Sequence, residues 1–111
     1  MNRKKNNTRE DDREDGEGVI VYVLRLFITG ATPNSVRAIT NLRNVCELYL
    51  KGKYSLEIID VYQQTEIAEK EQLIALPLLI KKLPLPERRM IGDLSNTEKV
   101  LKGLGVYINV E

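Results

Sequence analysis

The chain has 111 residues, of which 17 are basic and 16 acidic, so its formal charge is only +1 and no field of one sign draws it to nucleic acid or to an anionic membrane. Its length is one domain's worth, and its 42% hydrophobic content supplies a single modest core. Without histidine or tryptophan and with one cysteine, it lacks most of the side chains that build metal centres and general acid–base sites. Cys46 has no partner for a disulfide, a pattern that fits a reducing, cytoplasmic setting.

Residues 1–18 hold five basic and six acidic side chains and nothing apolar after Met1. Such a segment cannot offset its ordering entropy, so a disordered charged tail is expected ahead of a domain over 19–111. Arg3, Lys4 and Lys5 are not followed by an apolar h-region, which argues against a secretory signal. The run from Val19 to Ile28, VIVYVLRLFI, is β-branched and nearly continuous. Arg25 interrupts it and it falls short of the roughly 20 residues of a membrane span, so it reads as a central strand covered on both faces.

A helix start follows, with Thr32 as N-cap and Pro33 at the first helical position, where the missing N–H is no loss. Val36, Ile39, Leu42, Val45, Cys46, Tyr49 and Leu50 recur at steps of three and four, which predicts one apolar stripe. Lys51 and Gly52 supply a basic end and a residue for a left-handed C-cap. Tyr54 to Val61 then reads as a second strand. Strand, helix and strand make a βαβ unit with parallel strands and a right-handed crossover.

The second half is less regular. Gln63 to Leu73 favours a short helix. Leu73 to Leu83, LIALPLLIKKL, is an apolar run broken by Pro77, which cannot donate to a central ladder. Pro84 and Pro86 mark a connector, Arg88 to Ile91 a short edge strand, and Gly92-Asp93 its end. Ser95-Asn96-Thr97-Glu98 has capping-box spacing, with Ser95 as cap of a helix running from Asn96 to about Leu104. Gly103 and Gly105 limit that helix, and Val106 to Val110 is β-rich.

The order β-α-β-α-Pro-β-β-α resembles the thioredoxin-like arrangement, in which a proline before the third strand is commonly cis and lies beside the active-site loop. Pro77 stands at that place. In a redox thioredoxin the loop after the first strand carries a cysteine pair with a lowered pKa. Here Thr29-Gly30-Ala31-Thr32-Pro33-Asn34 contains no sulfur.

Several segments more specifically resemble the KaiB family of circadian clock proteins. They are Gly30-Ala31-Thr32-Pro33-Asn34-Ser35-Val36-Arg37-Ala38, the strand end Ile59-Asp60-Val61, and Arg88-Arg89 followed by Ile91-Gly92-Asp93-Leu94-Ser95-Asn96 and Glu98-Lys99-Val100-Leu101. Their order and spacing match over about Val19 to Leu104, which is far more specific than one short motif. The resemblance implies an α/β protein with a thioredoxin-like βαβ half and a C-terminal half able to adopt an alternative ground-state packing, dimeric or tetrameric. It also implies a non-catalytic, cofactor-free regulator whose monomeric thioredoxin-like form docks on a KaiC-like ATPase ring, in a clock or a stress-timing system. Partner-binding residues are then expected at Arg37, Ala68, Gln72, Arg88 and Arg89, and a fold-switch position at Gly92 and Asp93. Glu57 and Gln72 stand where basic residues are common in the family, and the acidic C-terminal tail is reduced to Glu111. Both departures leave open a KaiA-like third partner. A second reading is a single-fold sensor or adaptor of the kind attached to KaiC-binding histidine kinases.

Other chemistries are poorly served. Arg88 and Arg89 lie between Glu87 and Asp93, a weak footprint for nucleic acid. The Gly30 loop lacks the glycine spacing and lysine of a P-loop. Asp60 and Asp93 are not brought together by anything in the sequence, and no nucleophile accompanies them. The five tyrosines have no interleaved basic residues and read as core or interface anchors.

Overall fold

The computed structural model describes residues 19–72 and 75–107. The charged segment 1–18 and the chain end 108–111 lie outside the described residues. Chain order is β1 (Tyr22–Ile28), α1 (Pro33–Tyr49), β2 (Tyr54–Asp60), α2 (Thr65–Lys70), β3 (Leu78–Leu83), β4 (Arg88–Ile91) and α3 (Thr97–Leu104). The four strands form one sheet in the order β2-β1-β3-β4. β1 pairs with β2 in parallel, while β3 runs antiparallel to both β1 and β4.

β1 is central, as its nearly continuous apolar run predicts, because alternate residues must be buried on opposite faces of the sheet. On one face Leu24, Leu26 and Ile28 join Leu79 of β3 and pack against Ala38, Leu42, Val45 and Cys46 of α1 and Val100, Leu101 and Leu104 of α3. On the other face Phe27, Ile59, Leu78 and Ile80 form a smaller cluster under Ile67, Ala68 and Leu76. The strand begins at Tyr22 rather than Val19. Lys53 O accepts from both Val21 N and Tyr22 N at 2.8 and 2.9 Å, which fixes the entry beside the start of β2 and leaves Val19 to Val21 exposed.

Thr32 caps α1, its hydroxyl accepting from Ser35 N, with Pro33 in the first turn. The buried face is Ser35, Ala38, Leu42, Val45 and Cys46. Val36 and Tyr49, expected in the stripe, are 49% and 40% exposed. The reason is size: the small side chains at Ser35 and Ala38 let the helix approach the sheet and set its rotation, so residues one position away turn outward. α1 ends at Leu50, and the left-handed residue is Gly52 with φ 77, two positions further on.

The C-terminal half differs from expectation at two ends. α2 covers only Thr65–Lys70 rather than 63–73. Gln63 N and Gln64 N are drawn into a turn onto Asp60 O at 3.0 and 3.1 Å, and Gln72 adopts φ 55, which stops the helix. The cap of α3 is Asn96, whose Oδ1 accepts from Lys99 N at 3.0 Å, rather than Ser95. Ser95 N donates instead to Asp93 Oδ1 at 3.1 Å, so a turn on Asp93 consumes the position before the cap. Gly105, at φ 80, closes α3 with Val106 N bonded to Leu101 O. No helix among the described residues is long and apolar enough to cross a membrane.

Candidate partner-binding face

Two polar assemblies fasten the C-terminal half to the sheet, and they contain two of the five residues expected to meet a partner, Arg37 and Arg89. The first is the loop after β4. Gly92, at φ 117, donates its N–H to Pro77 O at 3.0 Å, and the Leu76–Pro77 peptide is cis. Arg37 Nε of α1 reaches Asp93 Oδ2 at 3.3 Å, and Asn41 Nδ2 donates to Asp93 O at 2.8 Å. Arg37 also meets Asn34 Oδ1, and its side chain stays 55% exposed. Hydrogen bonds from the Ser95 side chain and backbone hold the Asp93 carboxyl below its ordinary range, with Arg37 contributing further. Beside this loop an open groove of about 380 Å³ runs between β4 and the start of α3, lined by Met90, Leu94, Asn96, Lys99 and Val100 among others.

The second assembly centres on Glu71, just after α2. Its carboxylate takes Arg25 Nη1 of β1 at 3.1 Å, Lys82 Nζ of β3 at 3.8 Å and Arg89 Nη2 of β4 at 3.7 Å, and its carbonyl accepts from the same Arg89 nitrogen at 2.9 Å. One side chain, 19% exposed, thus ties the end of α2 to three strands. Arg25 continues to Glu57 Oε1 of β2 at 3.2 Å and lies over the Phe27 ring, 5.4 Å from its centroid. Glu57 is here a counter-ion of Arg25.

The expected partner residues do not form one patch. Gln72 is exposed and Ala68 half-buried beside Arg89 on the α2 side of the sheet. Arg88 lies on the opposite side, because Met90, two residues on, packs into the α1–α3 core. Arg37 sits at the α1 edge with Asp93. Glu71, Arg25 and Asn41 carried no sequence signal, since their partners are 46 and 52 residues away and charge spacing reports only local pairs.

The loop that would hold a redox pair is closed on itself. Thr29 N donates to Ser35 Oγ at 3.1 Å and Gly30 N to Asp60 Oδ1 at 3.0 Å, so neither N–H is offered to a ligand. Cys46 is fully buried in α1, and burial followed by the neighbouring Glu47 pushes its thiol up to about 12, which removes it from thiolate chemistry at neutral pH. Asp60 is bound within its own turn, accepting from Tyr62 N at 2.9 Å. Among the described residues no three His, Cys, Asp or Glu side chains converge as a metal site.

A family model described as the KaiB domain matches residues 25–106. The chain belongs to the KaiB family. It is 52% identical over 83 residues to the circadian clock oscillator protein KaiB of Synechococcus elongatus, covering 75% of this chain and 81% of that one. It is 54% identical over 83 residues to the protein of the same description from Thermosynechococcus vestitus, covering 75% and 77%. In architecture it is similar to the N-terminal domain of Synechococcus elongatus SasA, with a TM-score of 0.63 at 22% identity over 84% of this chain and 91% of that one. It is also similar to chloroplastic thioredoxin z, with a TM-score of 0.63 at 17% identity over 84% and 89%. The KaiB family and the thioredoxin-like fold therefore hold for one and the same chain.

Three outcomes follow from the two assemblies. Glu71→Ala removes the carboxylate shared by Arg25, Lys82 and Arg89 and leaves Arg25, 23% exposed, with the exposed Glu57 alone, and should cost about 1–3 kcal/mol in urea unfolding. Glu57→Ala, at a position 62% exposed, should change stability by less than about 0.5 kcal/mol. Asp93 has a depressed pKa in the folded state, so its contribution is present above about pH 4, the unfolded carboxylate value, and fades as pH falls through the folded value. Asp93→Asn should therefore flatten the acid limb of a stability–pH profile below about pH 4, and an unaltered limb would remove this role.

Proposed function

We propose that this KaiB-family chain is a non-catalytic regulator that docks, in its thioredoxin-like packing, on a KaiC-like ATPase ring and modulates the ring's phosphorylation and ATPase state in a clock or stress-timing system of the cytoplasm. The supporting observation is the combination of KaiB-family sequence over 25–106 with a thioredoxin sheet order whose would-be redox loop is sulfur-free and internally hydrogen-bonded. A fold kept without its chemistry is left with its surface as the functional part. Arg37, Ala68, Gln72, Arg88 and Arg89 are the proposed docking residues, and Gly92 and Asp93 the proposed pivot between this packing and an oligomeric ground state.

In this reading binding selects one packing. If the competent packing is about 1% of the population, the apparent Kd rises about 100-fold, so residues remote from the interface tune affinity. Gly92 is such a residue. Nothing lies within 4 Å of a Cβ added there, but its φ of 117 is a conformation that side chains avoid, so Gly92→Ala strains this packing through the backbone alone. The likeness in fold to the SasA domain favours a second reading, a single-fold adaptor without a slow step.

The test is size-exclusion binding to the KaiC-like ATPase of the same genome, with ATP, followed over hours. The proposal expects slow appearance of a complex, and a loss on the order of tenfold in affinity or binding rate for Gly92→Ala. Immediate binding by a stable monomer supports the adaptor instead. Absence of any complex contradicts ring docking.

A further inference from the structure

Within β4 only Met90 is not exposed, and it packs against the α1–α3 core. The fit is made with a glycine. Gly103 lies inside α3, where alanine is the better helix former. The three atoms nearest to a Cβ added at Gly103 are Sδ, Cε and Cγ of Met90, with Cε at 3.0 Å and Cγ at 3.3 Å. The thioether therefore rests on the helix backbone itself, and no further atom fits between them.

The loop after β4 depends on this contact. Gly92 at φ 117 and Leu94 at φ 62 both take left-handed conformations, and a leucine there is strained. Leu94 is 7% exposed and belongs to the same core, so Met90 and Leu94 pin the loop from its two ends. Met90 is the pin that chemistry can remove. It lines the open groove between β4 and α3 together with Lys99, so a small solute reaches it from solvent. The chain's other methionine is Met1, and its one cysteine is the fully buried Cys46.

We propose that Met90 is a reversible oxidation site, at which a peroxide converts the thioether to the sulfoxide and so detaches β4 from α3. A sulfur lone pair attacks one peroxide oxygen, and the S–O bond forms as the O–O bond breaks. The proton on the new S–OH group passes to the departing hydroxide, which leaves as water, and sulfur loses the two electrons that the peroxide gains. The product is polar. Gly103 leaves no space for the added oxygen and the core behind it is apolar, so the sulfoxide is drawn off the helix towards the groove, where water and Lys99 supply donors. Methionine sulfoxide reductases, with a thiol as reductant, restore the thioether. Because Gly92 and Asp93 are the proposed pivot, detachment also shifts the balance of packings. That consequence rests on the proposed function, whereas the oxidation site itself does not.

The experiment treats the full chain with hydrogen peroxide under native conditions, locates the added oxygen by peptide mass spectrometry, which separates Met90 from Met1, and then reads hydrogen exchange. Met90 should gain one oxygen while Cys46 stays a thiol. Exchange of the Gly92 amide, bonded to Pro77 O at 3.0 Å, and of the α3 amides should accelerate on the order of tenfold, with Leu42 and Val45 in α1 unchanged. Reductases for both sulfoxide epimers should return the original protection. Met90→Leu, a swap of similar volume, should show no change on peroxide treatment. Met90 that resists oxidation until the chain is unfolded, oxidation that leaves Gly92 and α3 as protected as before, or the same loss of protection in peroxide-treated Met90→Leu would each overturn the proposal. None of these outcomes involves the ATPase ring, so ring docking stands or falls separately.

Discussion

The structure depends on one constraint, that β1 is buried on both faces. Leu24 and Leu26 on one side and Phe27 on the other are each no more than 1% exposed, so the strand needs a neighbour along each edge and a layer above and below. β2 fills one edge through the local βαβ crossover. The other must be filled by β3, which runs antiparallel and arrives only after α2 and Pro77. The register Leu26 to Leu79 and Phe27 to Leu78 brings the two cores together, and only then do α3 and β4 find surfaces to pack on.

This division gives the two halves different character. β1, α1 and β2 are joined by a short crossover and a continuous core. The second half joins that core through β3 and α3, but its remaining parts are a six-residue helix with no buried residue of its own, the four-residue edge strand β4, and the polar fastenings at Glu71 and Asp93. Polar fastenings of this kind contribute modestly and are sensitive to salt or pH. The proposed change of packing requires that its two forms differ by only a few kcal/mol. In the proposed account that balance, rather than any chemical step, sets when a partner is engaged.

The sequence made the first half legible because its signals are local: an apolar run, a Thr-Pro helix start, and β-branched residues after Gly52. The apolar spacing of the helix points slightly out of phase with its buried face, since the small Ser35 and Ala38 lie on that face without giving a strong apolar signal. The exchange of Ser95 for Asn96 as cap has a similar cause. Both residues can cap, and the choice is made by Asp93, whose carboxylate takes the Ser95 N–H first. Glu71 was illegible. Nothing near it in the chain announces that three strands will bring Arg25, Lys82 and Arg89 to one carboxylate.

The account's central claim is that the thioredoxin-like packing is the form that binds. It is tested most directly by locking that packing. Val23 and Leu83 are register partners across β1 and β3 at the accessible end of the sheet, with Leu83 46% exposed, and opposed strand residues lie within disulfide reach. The double variant Val23→Cys, Leu83→Cys, once oxidised, should bind a KaiC-like ATPase ring without a lag, and should regain the lag on reduction. An oxidised chain that fails to bind, or binds with the lag unchanged, would contradict the claim.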